Sequence, residues 1–112
     1  MAQLAFRNAL GRIGINAPTR AAIQGNGYET IGDLAVTEES TLNHLPKYLR
    51  AWHIPNALPA QQVRLGIVPL EKIKAMRYWV LAQRREGFEE DADDFDNDVA
   101  IATLEVMRQG KD

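Results

Sequence analysis

Apolar residues in this 112-residue chain recur at three- and four-residue spacings, and glycine or proline interrupts them at short intervals. That pattern selects short amphipathic helices and leaves no alternating run for a half-buried strand. Residues 3–13 read as the first helix, with Leu4, Ala5, Ala9, Leu10 and Ile13 at helical spacing and Gly14 as its stop. Asn16 is placed to cap a second helix, "APTRAAIQGN", with Pro18 in the first turn, where a missing N–H does no harm. Gly27 stands where a left-handed residue closes such a helix. A short, turn-rich helix is expected over "YETIGDLAV". Thr37 then reads as a hydroxyl cap ahead of Glu38 and Glu39, acids that favour the positive end of the next helix. Leu42, Leu45, Leu49 and Trp52 form a buried stripe interrupted at Pro46. The expected architecture is a small all-α multi-helix domain of 112 residues. It divides into a helical unit over 1–53, a proline-marked connector over 54–68, a long helix over 69–87, an acidic loop over 88–97 and a terminal helix over 98–109. Asp96 or Asn97 is the expected cap of that terminal helix, which contains Val99, Ile101, Leu104, Val106 and Met107.

The net charge of −2 conceals a strong segregation. Residues 1–28 carry three arginines and no acid, 29–46 four acids and no base, 47–87 eight bases against two acids, and 88–112 nine acids against two bases. An anion-binding body is compatible with this order, and so is an acidic tail that folds back to compete for it. The chain has no cysteine, which excludes disulfides and thiolate chemistry. No apolar run approaches a membrane span, and "MAQLAFRNALGRIG" places arginines where a signal peptide stays apolar. An intracellular setting is expected, in cytoplasm or nucleus, with no membrane partner.

The glycines of "IGINAPTRAAIQGNGYETIGDL" invite a phosphate-loop reading, but no Gly-Lys-Ser/Thr ending and no preceding strand accompany them. A dinucleotide fingerprint fails in the same way, because "GNGYETIG" follows a helix. "IGINAPTRAAI" (13–23) instead resembles the helix-hairpin-helix pattern, with Gly14, Ile15, Thr19, Ala22 and Ile23 in place. Asn16 occupies the usual second glycine; it tolerates a left-handed backbone, yet its side chain crowds the approach of a phosphate. That family's hairpin amides bind phosphates without reading sequence, so the resemblance implies nucleic-acid contact at Gly14, Asn16 and the flanking Arg12 and Arg20. From Thr19 to Pro46 the chain is also similar to the SAM-like C-terminal domain of the bacterial RNA polymerase α subunit, chiefly through "TIGDL" (30–34). This second likeness implies that Ile31 and Leu34 face the core while Asp33 points out. A longer likeness, residues 6–87, resembles the N-terminal region of gag-like polyproteins from diatom-type LTR retroelements. There a Val-Pro start leads into a helix with a Lys-x-x-Ala-x-x-x-Trp-type phrase, matched here by Lys72 or Lys74, Ala75 and Trp79. The polyprotein's zinc knuckle, protease and polymerase have no counterpart in these residues. The likeness implies particle assembly and nucleoprotein packaging, and no catalysis.

Other chemistry is sparse. Asp94, Asp96, Asp98 and Glu105 match positions one, three, five and twelve of a calcium-binding EF-hand loop, but Val99 stands where the sharp turn requires glycine. His44 and His53 lack ligand partners at metal spacing, and Ser40, the sole serine, has no glycine elbow. Tyr48, Trp52, Tyr78 and Trp79 interleave with Lys47, Arg50, Lys74, Arg77, Arg84 and Arg85, a composition that suits base stacking with phosphate tracking. The sequence thus points to a non-enzymatic, cofactor-free assembly module that binds a protein partner or itself through Trp52, Tyr78 or Trp79. The alternative is sequence-independent nucleic-acid binding through Arg12, Gly14, Asn16, Arg20, Lys74, Arg77, Arg84 and Arg85.

Overall fold

Two glycines set the first turns of the chain. Gly14 takes φ +95° and ends α1 (Ala2–Arg12), and Gly27 takes φ +109° just beyond α2 (Ala17–Gly25), a conformation that costs a side-chain-bearing residue dearly. Asn16 caps α2, its Oδ1 accepting from the Thr19 amide at 3.1 Å, with Pro18 inside the first turn. Its backbone is extended (φ −70°, ψ 162°), so the left-handed conformation expected from the hairpin pattern is not used at this position.

The computed structural model describes residues 2–110, all helical or irregular with no strand among them. After α2 come α3 (Ile31–Ala35), α4 (Glu39–Leu42) and α5 (Leu45–Leu49), the last running into a 3-10 turn at Arg50–Trp52. A connector with a 3-10 turn at Pro59–Gln61 leads to α6 (Ile67–Arg85). An acidic segment with a 3-10 turn at Ala92–Asp94 then precedes α7 (Asn97–Gln109).

Four local expectations are corrected. Helix α6 begins at Ile67 rather than Pro69, because a proline in the first turn removes only an N–H that lacks an intrahelical partner anyway. Glu38, not Thr37, is the cap residue of α4; the Thr37 hydroxyl donates back to the Asp33 carbonyl at 2.9 Å and closes α3. Asp33 folds onto its own backbone, accepting from the amides of Glu29 and Thr30, and is half-buried rather than pointing out. Trp52 does not continue the Leu42–Leu45–Leu49 stripe; it is 43% exposed while those leucines are buried.

The core gathers Phe6, Leu10, Ile13, Ile23, Leu34, Leu42, Leu45, Ile73, Met76, Val80 and Phe95 as its large side chains, with Ala100 joining them from α7. At about 25 cal/mol per Å² of apolar surface removed from water, each large side chain stabilises the fold by about 2 kcal/mol, which is why these helices need no strong intrinsic propensity. Helix α6 is the hub, packing against α3, α4 and α7. Helix α7 contributes small residues to that contact, Ala100 and Thr103, and leaves Ile101 and Val106 half exposed. On the opposite side of the fold α5 packs on α2, α2 on α1, and α1 on the turn at Ala92–Asp94.

Candidate functional site

The hairpin between α1 and α2 brings Gly14, Ile15 and Asn16 to a cleft of 260 Å³ whose other wall is Arg64, Gly66 and Pro69. The sequence reading assigns phosphate contact to this place, where most of the polar groups already have partners, the buried Arg20 Nε being an exception. Pro18 has no N–H, the Thr19 amide bonds Asn16 Oδ1, and the Arg20 amide bonds the Asn16 carbonyl at 3.0 Å. The Asn16 side-chain amide donates to the carbonyls of Ala60 (3.0 Å) and Gln62 (2.9 Å). The Thr19 hydroxyl, fully buried, donates to the Arg64 carbonyl and accepts from the Arg64 amide, both at 2.9 Å. The amide of Gln62 in turn pairs with Ile54, accepting from its N–H and donating to its carbonyl at 2.7 Å each. The N-terminal end of α2 therefore works as a clamp that holds the connector.

The expected basic stripe is dispersed in the same manner. Arg12 clasps the carbonyls of Ala92 (2.7 Å) and Phe95 (2.9 Å), and Arg20 crosses over Gly11 to the Ile15 carbonyl at 2.7 Å. A Cβ on Gly11 would stand 3.0 Å from the Arg20 guanidinium, so the glycine makes room for that crossing. Arg77 donates to the Thr37 carbonyl at 2.6 Å, and Lys74, only 13% exposed, lies between Glu39 and Glu71. Arg84 bonds Glu90 through Nε at 2.8 Å and also through Nη2. The hydrogen bond from Arg84 holds the Glu90 carboxyl below the usual carboxylate range, and the same bond raises Arg84. Of the eight residues assigned to nucleic acid, Arg85 alone combines exposure with no hydrogen bond or ion pair to another residue among those described, and its guanidinium lies 6.0 Å from the Tyr78 ring centre. Tyr78, half-buried, shares a shallow groove with Leu81, Arg84 and Arg85.

The aromatic candidates separate as well. Trp79 meets Phe95 edge-on at 5.4 Å between ring centres and is half-buried against the core, so its packing accounts for it without a partner. Trp52 lies against Gly25, where an added Cβ would come within 2.5 Å of the ring, and its other face is open to solvent. Around it the segment 47–58 exposes Tyr48 (46%), Ile54 (39%) and Leu58 (66%). Lys47, Arg50 and Arg64 are exposed nearby in sequence, and their side chains make no hydrogen bond or ion pair among the described residues. This end combines exposed aromatic and apolar side chains with cations that make no ion pair among the described residues. Only Trp52 of it belongs to the sequence-assigned site. The signal for the rest is the complete absence of Asp and Glu from Ser40 to Leu70.

The calcium reading is overturned by backbone conformation. Residues 97–109 are helical, so Asp98 and Glu105 lie along α7 instead of around a loop, and Asp96 Oδ1 caps that helix by accepting from the Val99 amide at 2.9 Å. No group of three His, Asp or Glu among the described residues is placed to hold a metal ion, and no described helix is long and apolar enough to cross a membrane. Compared with known proteins, the chain matches no family model, no curated protein and no solved structure.

Proposed function

We propose that this chain is a non-enzymatic assembly module that binds further copies of itself through its α5 end. The carrying observation is the exposure of Tyr48, Trp52, Ile54 and Leu58 beside the unpaired cations Lys47 and Arg50. Large aromatics and cations that desolvate together dominate the energetics of protein interfaces, whereas a lone exposed apolar residue carries no such meaning. The resemblance of residues 6–87 to gag-like polyproteins agrees with assembly and suggests a retroelement-derived particle as its setting.

The second reading, sequence-independent nucleic-acid binding, moves to the same end, because Lys47 and Arg50 interleaved with Tyr48 and Trp52 also suit stacking on single-stranded bases. It ranks second because Arg12, Arg20, Lys74, Arg77 and Arg84 are bonded within the protein, leaving few cations for the backbone of a nucleic acid. Sedimentation equilibrium of the wild type and a Tyr48→Ala/Trp52→Ala variant tests the assembly reading. Concentration-dependent mass in the wild type and its loss in the variant are expected. A wild type that is monomeric throughout would refute it.

A further inference from the structure

The partner of the α5 end is written into the chain's own charge distribution. From Glu86 to Asp98 there are eight carboxylates and no base, and all but Glu90 are exposed. This segment is not a loose tail. Ala92 and Phe95 are buried beneath it, and Arg12 at the end of α1 grips the carbonyls of both, so the carboxylates stand outward on a fixed ridge. Beside them Phe88 is 64% exposed, an apolar anchor within an acidic frame.

The complementary surface lies elsewhere on the molecule. From Ser40 to Leu70 there is no acid, and Lys47, Arg50 and Arg64 have no carboxylate partner among the described residues. Helix α5 packs on α2 while the acidic turn packs on α1, and among the described residues no ion pair joins the two surfaces within one chain. The ridge is therefore free to meet the basic end of another molecule.

From this complementarity we infer that the acidic ridge of one copy docks on the Lys47–Trp52 end of a second copy, head to tail. The inference rests on the self-assembly reading above and names the surface of the second copy that the α5 end meets. The contact joins two different faces, so one such contact leaves a ridge and a basic end that either pair reciprocally in a two-fold dimer or carry the chain on into a ring or filament. Opposed charges steer the encounter and fix its polarity, and Trp52 and Phe88 supply the apolar centre that charge alone does not. Because the charges are exposed before docking, added salt screens their attraction over about 8–10 Å and weakens association.

Complementary charge reversal tests this on the intact chain. Lys47→Glu/Arg50→Glu alters one surface and Asp93→Lys/Asp94→Lys the other; none of these side chains makes a hydrogen bond or ion pair, and thermal melts verify that both variants fold. Analytical ultracentrifugation at low ionic strength is expected to show each variant alone associating at least about tenfold more weakly than wild type. An equimolar mixture of the two is expected to regain association, because each retains the surface the other has lost. Variants that assemble like the wild type would overturn head-to-tail docking while leaving the assembly reading intact, and a mixture that stays monomeric would overturn it too. A wild type that stays monomeric would overturn both, and one that then binds a single-stranded oligonucleotide would assign the basic end to nucleic acid.

Discussion

Thr19→Val removes a hydroxyl and little else. The residue is fully buried, and its Oγ1 makes the only contact that closes both backbone groups of Arg64 onto α2. With valine, an N–H and a C=O on the connector lose their partner, each at a cost of about 1–3 kcal/mol when water cannot replace it. Arg64 is exposed on its outer side, so the lower part of that range applies, and the added methyl offsets about 0.8 kcal/mol. The net loss is about 2 kcal/mol, which for a domain of this length lowers the melting temperature by about 8 °C. Circular dichroism melts measure the loss, and amide hydrogen exchange at Arg64 locates it. Thr19→Ser keeps the hydroxyl and should cost only about 1 kcal/mol for the missing methyl. If the valine variant melts within about 1 °C of wild type, or serine is the worse of the two, the clamp does not hold the connector and the reasoning fails.

Asn16→Gly restores the glycine of the hairpin pattern, yet it should destabilise by about 1–2 kcal/mol through loss of the bonds to Ala60 and Gln62. The same variant should gain no affinity for phosphate or oligonucleotide in a fluorescence titration, since the Arg20 amide stays bonded to the residue 16 carbonyl. Gly25→Ala drives a methyl into the Trp52 ring and should cost about 1 kcal/mol, with red-shifted tryptophan emission as the ring swings out. Glu90 has a depressed folded-state pKa, so its contribution is complete above the ordinary glutamate range and disappears as pH falls through the folded value. The pair is partly exposed, so Glu90→Gln should cost less than about 1 kcal/mol at neutral pH, and urea unfolding should show the difference from wild type shrinking as pH falls below the ordinary glutamate range.

The helices and their punctuation were legible because their causes are local. Gly14, Gly27, Pro18 and the Asp96 cap act within a turn of where they stand, and the apolar spacing marks the faces of α1, α2 and α6. Misplaced starts, such as Thr37 for Glu38, came from side chains with two local options, closing the preceding helix or capping the next. The site was less legible for a different reason. Arg12 bonds carbonyls 80 and 83 residues away, Arg77 one 40 away, and Thr19 joins Arg64 across 45. A carbonyl acceptor belongs to every residue type, so nothing in the sequence announces which cation it will engage. The EF-hand spacing was a weak signal, because the same aspartates that suit a calcium loop also suit a helix entry, and Asp96 caps α7. The absence of acid over 40–70 was visible in the sequence, but its meaning depended on learning that Lys47, Arg50 and Arg64, unlike Arg12, Arg20, Lys74, Arg77 and Arg84, have no side-chain partner among the described residues.

The central claim is that the free basic and aromatic end serves assembly, with the hairpin's polar groups turned inward. Light scattering at two protein concentrations, each with and without a short single-stranded oligonucleotide, tests it most directly. The account predicts a mass that rises with concentration and does not change with the oligonucleotide. A concentration-independent monomer that gains the mass of the oligonucleotide would contradict it.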